Sequence, residues 1–153
     1  MTTLRAAIAL LGGAMVVQAV HVRPSVSVST AAPDGTVTVT VRVVPTGVIL
    51  GSYQGALRFT PGTLRAIQAS APRGGDATRM VNAADSASGL IRYAGFTVMG
   101  FRHDTVLVMR VRPSTTIAAA ELTASLDVAA DSAGTRIPRD RLAPSGPVAR
   151  PRP

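Results

Sequence analysis

Apolar and polar residues alternate along much of the chain, and turn residues stand where the alternation stops. After the Asp34-Gly35 turn, Val alternates with Thr and then Arg through residues 36–43. A second alternating segment begins at Tyr53 and ends at the turn Pro61-Gly62. A period of two is typical of β-strands with one buried face, and Asp-Gly and Pro-Gly pairs favour tight turns. Both segments are therefore predicted to be half-buried strands.

Applied to the whole chain, the same reasoning predicts strands in short segments that turn residues separate. These segments are residues 22–29, 36–44, 52–60, 64–69, 80–83, 90–95, 105–112 and 121–128. Many short strands at a spacing of roughly 8–12 residues are typical of sandwiches and barrels. We predict an all-β protein, an antiparallel β-sandwich whose two inner faces supply the core.

The alternation also assigns side chains to the two faces of each strand. Side chains predicted to point inward are those of Tyr53, Leu57, Phe59, Ile91, Tyr93, Leu107, Met109 and Val111. Side chains predicted to point outward are those of Gln54, Ala56, Arg58, Arg92, Ala94, Val106, Val108, Arg110 and Arg112.

Composition limits the number of domains, the make-up of the core and the chemistry that the protein can perform. A chain of 153 residues with 46% hydrophobic residues can form one domain with a real core. Aromatic residues make up only 3%, so aliphatic side chains must fill most of that core. The absence of Cys excludes disulfides, thiolate catalysis and Cys-ligated metals. The net charge is +8, and all 16 cationic side chains are Arg.

The two ends of the chain are predicted to lie outside the folded domain. Residues 1–19 join a short cationic start to an apolar run and a small-residue site at Ala19, the pattern of a secretory signal peptide. The apolar run is shorter than the ~20 residues that span a bilayer. Residues 139–153 are rich in Pro and Arg and are predicted to form a flexible tail. The domain is then residues 20–138, and the protein is expected to be extracellular, periplasmic or attached to the cell envelope.

Catalytic chemistry has little support in the sequence. The two histidines, His21 and His103, are far apart, and neither has a metal ligand at a characteristic spacing. Residues 131–134 lack the alternating oxygen ligands of a calcium loop and are better described as a turn. No paired carboxylates or activated nucleophile are evident. The sequence therefore favours a protein that is not an enzyme and needs no cofactor or metal, and export argues against nucleic acid as a partner.

Several of these elements, in this order, resemble a cohesin domain. The resemblance lies in the alternating strand after Asp34-Gly35, the residues Gly51-Ser52-Tyr53-Gln54 that lead to Phe59-Thr60-Pro61, and strands 90–94 and 105–111. An acidic turn at residues 131–134 echoes the end of the family's domain. The match spans residues 22–138 and concerns pattern and order. It implies a nine-stranded jelly-roll sandwich, the fold that cohesins share with family 3 carbohydrate-binding modules.

The resemblance also implies a function. In cohesins the corresponding strands hold dockerin modules, which here would give a partner surface of Gln54, Arg58, Arg92, Val108 and Arg110. The expected partner is a dockerin-like module on another exported protein. The same outward arginines would equally serve to keep a sheet soluble.

Two other functions remain open at this point. A carbohydrate-binding module would need exposed aromatic rings. Phe96 and Phe101, expected in a loop together with Gly95 and Gly100, are the two aromatic residues free to meet a polysaccharide. The third alternative is a purely structural domain of the cell envelope.

Overall fold

The alternating segments form strands that follow the sequence pattern closely. The structure is a computed structural model that describes residues 19–114 and 122–144. Its strands are β1 (His21–Val28), β2 (Val37–Thr46), β3 (Leu50–Arg58), β4 (Leu64–Ser70), β5 (Thr78–Asn82), β6 (Leu90–Phe101), β7 (Asp104–Pro113) and β8 (Thr123–Asp131). Short 3-10 helices lie at Ser86–Ser88 and Arg139–Arg141.

The strands form two four-stranded antiparallel sheets. The first sheet has the order β1-β2-β7-β4, and the second sheet has the order β5-β6-β3-β8. The predicted all-β antiparallel sandwich is confirmed. Because β3 and β6 belong to the second sheet and β7 to the first, consecutive parts of the chain contribute to opposite faces of the molecule.

The described residues contain eight strands, whereas the cohesin resemblance implied nine. Beyond β8 the chain returns to β1, where Leu142 forms a single parallel bridge with Val22. The amide of Ala143 donates to the carbonyl oxygen of Val22 at 3.1 Å. Pro144 follows, and it has no amide hydrogen to extend the ladder. Part of the segment predicted to be a flexible tail thus packs against β1.

The core consists mainly of aliphatic side chains from the inner faces of both sheets, with a few aromatic rings among them. Tyr53, Leu57, Ile91, Leu107 and Met109 are almost fully buried, as the alternation predicts. Phe59, Tyr93 and Val111, the other side chains predicted to point inward, are also buried. Within the described residues, no helix is long and apolar enough to cross a membrane.

Val106 was predicted to point outward, and the structure shows that this is wrong. Val41 pairs with Leu107, whereas the next residue, Arg42, pairs with Thr105, so Val106 is an extra residue in β7. Such a β-bulge shifts the alternation by one position. Asp104 and Val106 point inward before the bulge, and Leu107 points inward after it, so Val106 is completely buried.

Leu57→Ala and Leu107→Ala should each lower the free energy of unfolding by at least about 2 kcal/mol, because each removes a large buried aliphatic group and leaves a cavity. Both side chains have no exposed surface. The control is Thr38→Ala, at a half-buried position on the outer face of β2, which should cost well under that amount. Urea denaturation gives the three values. Equal losses at core and control positions would contradict the assignment of the strand faces.

Candidate functional site

The outer face of the second sheet brings together polar and apolar side chains from all four of its strands. Gln54 on β3 lies opposite Ala94 on β6, which in turn lies opposite Met80 on β5. In the next cross-strand row, Ala56 lies opposite Arg92. Side chains in such rows are in contact distance of each other, so the face forms one continuous surface.

A shallow hollow of about 190 Å³ lies on this face. Its lining residues are Gln54, Gly55, Met80, Val81, Asn82, Arg92, Tyr93, Ala94 and Asp127. A Cβ atom at Gly55 would collide with the carbonyl oxygen of Ser125 and would lie 2.9 Å from the ring of Tyr93. The missing side chain therefore lets the Tyr93 ring pack beneath the hollow, where its hydroxyl donates to the carbonyl oxygen of Ser125 at 2.9 Å.

Opposite charges line the hollow without neutralising each other. Arg92 and Asp127 are both exposed, and the salt bridges found among the described residues involve neither of them. The pKa of Tyr93 is raised, first by its burial and then by the nearby charge of Asp127. The amides of Gln54 and Asn82 lie in the same lining. A cation, a carboxylate and two amides around an apolar floor can form directed hydrogen bonds with a polar group of a partner.

Exposed apolar side chains are concentrated at one end of this sheet. Met80 is 57% exposed, Phe96 50%, Val98 87% and Met99 73%. These are four of the five large apolar side chains that the described residues leave exposed, and all four belong to β5 or β6. We call them the apolar patch. Several exposed apolar side chains on two neighbouring strands are typical of a binding site.

The most exposed part of the apolar patch lies on a bulge of β6. Leu50 pairs with Phe101 and Ser52 pairs with Phe96, so residues 97–100 stand opposite the single residue Gly51. Within the bulge, the amide of Met99 donates to the hydroxyl oxygen of Thr97 at 3.1 Å. Gly100 has a φ of 78°, in the left-handed region that favours glycine. Val98 and Met99 belong to these extra residues and are the two most exposed members of the apolar patch.

The structure separates the five residues predicted to form a partner surface. Gln54, Arg58 and Arg92 are exposed on the outer face of the second sheet. Val108 and Arg110 lie on β7, in the first sheet, so they face the opposite side of the molecule. The five side chains therefore do not form a single surface. The alternation gives the face of a strand but does not say to which sheet that strand belongs.

The two aromatic residues considered for sugar binding also differ from each other. Both belong to β6, where the sequence indicated a loop. Phe101 is buried, with 6% of its surface exposed, and its ring centroid lies 5.3 Å from that of Tyr53. Phe101 is thus a core residue and is not free to stack on a sugar. Phe96 remains half exposed within the apolar patch.

A buried ionic cluster that the sequence did not reveal joins the two sheets behind this face. The Asp104 carboxylate, at the start of β7, accepts a hydrogen bond from the Tyr53 hydroxyl of β3. The Arg79 guanidinium of β5 donates through Nε at 2.9 Å and forms a salt bridge through Nη2 at 2.8 Å. Burial, followed by the bond to Asp104, raises the pKa of Tyr53 far above its ordinary value. Asp104 holds the pKa of Arg79 above its ordinary value.

The two histidines and the acidic residues that the structure describes do not converge on a metal site. Groups of three or more His, Asp or Glu that could hold a metal ion are absent from residues 19–114 and 122–144. His21 begins β1, with Nδ1 3.2 Å from the carbonyl oxygen of Ala19. His103 is exposed between β6 and β7.

Proteins similar to this chain are found among solved structures. No family model and no curated protein matches the chain. Among solved structures, a cohesin module from a Clostridium perfringens family 33 glycoside hydrolase matches with a TM-score of 0.51 and 8% identity, covering 83% of this chain and 95% of that chain. A type II cohesin in an X-dockerin complex from Acetivibrio cellulolyticus has a TM-score of 0.47 and 13% identity, covering 78% and 91%. An uncharacterised immunoglobulin-like protein from Nocardia farcinica has a TM-score of 0.45 and 13% identity, covering 83% and 99%.

At such low identity the likeness concerns the fold alone. The order and pattern of strands that suggested a cohesin from the sequence are confirmed at that level, because the C. perfringens cohesin module matches over most of both chains. The chain therefore has the β-sandwich fold of a cohesin module.

Proposed function

We propose that this protein is an exported, non-catalytic protein-interaction module that binds its partner through the outer face of the second sheet. The observation that carries the proposal is the apolar patch of Met80, Phe96, Val98 and Met99, which shares this face with two exposed arginines, Arg92 near Met80 and Arg58 towards the other end of β3. Met, aromatic residues and Arg are the side chains most enriched at the centre of protein interfaces. The first sheet carries none of the large exposed apolar side chains of the described residues.

The two parts of this face suit different parts of an interface. The apolar patch would be desolvated on binding, which supplies most of the affinity. The hollow beside it would provide directed contacts, because Arg92, Asp127 and the two amides can each bond a polar partner group. A partner that buried the charges of Arg92 and Asp127 without supplying opposite charges would lose binding free energy. The hollow therefore favours a specific partner.

The partner that the cohesin resemblance implies is a dockerin-like module on another exported protein. The confirmed sandwich fold is consistent with this partner, and the apolar patch lies on one broad sheet face that a small folded module can cover. Polysaccharide binding through stacked aromatic rings has less support. Such binding needs a row of exposed rings, and Phe101 is buried, as are Tyr53, Tyr93 and Phe59.

The double variant Arg58→Glu/Arg92→Glu should weaken partner binding by more than about tenfold, because it places two negative charges where the interface presents positive ones. Its melting temperature should stay nearly unchanged, since both side chains are exposed. The partner is first captured from the exported protein fraction of the source organism and identified by mass spectrometry. Binding of each purified variant to it is then measured by calorimetry.

The matched control is Arg42→Glu/Arg110→Glu, which changes the net charge equally but lies on the outer face of the first sheet. It should bind the partner about as well as the unaltered chain. If the control lost binding and Arg58→Glu/Arg92→Glu retained it, the interface would lie on the first sheet, which would contradict this proposal.

A further inference from the structure

The outer face of the first sheet is a broad polar surface dominated by arginines. All four strands contribute, and the side chains are exposed: Arg23 on β1, Arg42 on β2, Arg65 on β4, and Arg110 and Arg112 on β7. Among the described residues, the salt bridges are Arg79 with Asp104 and Arg141 with Asp140, so none of these five arginines is paired with a carboxylate. We call this surface the arginine face.

The strand register places some of these charges side by side. Arg65 lies directly opposite Arg112 on the neighbouring strand. Arg110 follows two residues away on the same strand and the same face, at a separation of about 7 Å. Like charges directly opposite each other in a sheet destabilise it. A sheet that needs arginine only for solubility would gain by placing a carboxylate at one of these positions.

A β-bulge in β4 brings a further polar side chain to the arginine face. Arg65 pairs with Arg112 and Gln68 pairs with Arg110, so Ala66 and Ile67 stand opposite the single residue Val111. Ala66 has a φ of 50°, a conformation that is unfavourable for a residue with a Cβ atom. In a regular strand, residues 65 and 68 would point to opposite faces. The bulge turns both of them outward, and the protein thus tolerates local strain that brings a further polar group beside the arginines.

An acidic side chain near this face is already engaged in hydrogen bonds. Asp34, in the turn between β1 and β2, accepts hydrogen bonds from the amide and the hydroxyl of Thr36 at 3.0 and 2.6 Å. The bonds from Thr36 lower the pKa of Asp34, and the positive charges of Arg110 and Arg112 lower it further. Arg112 donates to the carbonyl oxygen of Asp34, at 3.3 Å, rather than to its carboxylate. The arginine face thus has a positive field that its own residues do not neutralise.

Between the arginines lie side chains with hydroxyl groups. Arg42 has Ser25 on one side and Thr105 on the other. In a neighbouring row, Thr40 pairs with Ser27. The face has no aromatic ring, and none of the large exposed apolar side chains of the described residues belongs to it. The surface is therefore suited to a ligand that carries both negative charges and hydroxyl groups.

We propose that the arginine face binds a linear acidic polysaccharide. The planar guanidinium forks match carboxylates in two-point contacts, and the Ser and Thr hydroxyls can bond the hydroxyl groups of the sugars. Neutral sugars and unpaired bases need aromatic platforms, which this face lacks. A bilayer would be held more firmly by apolar side chains that insert into it, and these also are lacking here. This function is independent of the partner site, because the two faces lie on opposite sheets.

The test is binding of the full chain to polygalacturonate at low salt, with fully methyl-esterified polygalacturonate as a neutral ligand of the same backbone. Arg110→Gln/Arg112→Gln should weaken binding to polygalacturonate by about tenfold. The matched control Arg58→Gln/Arg92→Gln removes the same charge from the second sheet and should stay within about twofold of the unaltered chain. Arg110→Lys/Arg112→Lys keeps the charge, loses the planar fork and should give an intermediate affinity.

Several outcomes would overturn the proposal. The first is absence of binding at low salt, and the second is equal binding to the esterified polymer. The third is an equal loss in both Gln double variants, since that would show a response to net charge alone. The fourth is equally tight binding of single-stranded DNA, or of vesicles of anionic lipid, with the same dependence on Arg110 and Arg112. Melting temperatures of all variants verify that each one is folded.

Discussion

Asp104→Asn should lower the free energy of unfolding by about 3–5 kcal/mol, the usual cost of breaking a buried ion pair by removing one partner. The Arg79 side chain is only 14% exposed and the Asp104 side chain 4%. Loss of the carboxylate would leave the guanidinium largely buried without a counter-charge. It would also weaken the bond from the Tyr53 hydroxyl. Urea denaturation followed by circular dichroism measures the change.

Two comparisons make this result specific. Arg141→Gln removes the other salt bridge of the described residues, which joins Arg141 and Asp140 at 3.5 Å with side chains 46% and 76% exposed. An exposed pair contributes at most about 1 kcal/mol, so this variant should change little. The double variant Asp104→Leu/Arg79→Met removes both buried charges and should recover much of the stability lost in Asp104→Asn. Equal losses in Asp104→Asn and Arg141→Gln would show that burial does not strengthen the cluster.

The sequence was sufficient to predict the strands and most of their faces, because period-2 alternation is a local signal. Tyr53, Leu57 and Ile91 point inward as expected. Sheet membership was not predictable in the same way. The pairing of β7 with β2 and β4, and of β6 with β3 and β5, depends on contacts between distant parts of the chain. For that reason Val108 and Arg110 were grouped with residues that lie on the other side of the sandwich.

The β-bulges explain the other differences between the sequence predictions and the structure. In β7 the extra residue reverses the alternation, so that Asp104 and Val106 are both inward. An Asp in a polar segment before a strand gave no sign that it would be buried, because its partner Arg79 lies 25 residues earlier in the chain. In β6 the two glycines at positions 95 and 100 indicated a loop. Instead, Gly95 leaves room for the Tyr53 hydroxyl and Gly100 allows the bulge. The strand continues to Phe101.

The same irregularities also shape both proposed binding surfaces. The bulge in β6 contains the exposed Val98 and Met99, and the bulge in β4 turns Arg65 and Gln68 onto the arginine face. The surfaces differ in chemistry, because the first-sheet surface carries arginines with hydroxyl groups between them, whereas the second-sheet surface is partly apolar. A module with two such faces could hold a protein partner on one side and an acidic polymer on the other.

The double variant Val98→Asp/Met99→Asp should reduce binding of the protein partner by at least about a hundredfold while leaving the melting temperature nearly unchanged. The side chains are 87% and 73% exposed, so the folded chain loses little packing when they are replaced. In the complex, however, large apolar side chains at the centre of an interface each contribute about 2 kcal/mol or more, and a buried unpaired carboxylate adds a further cost. Calorimetry with the purified partner measures the loss.

The control is Thr30→Asp/Ala31→Asp, which adds the same charge at exposed positions near the β1–β2 turn. It should bind the partner as the unaltered chain does. Unchanged affinity in Val98→Asp/Met99→Asp would mean that the apolar patch lies outside the interface, even if Arg58 and Arg92 lie within it.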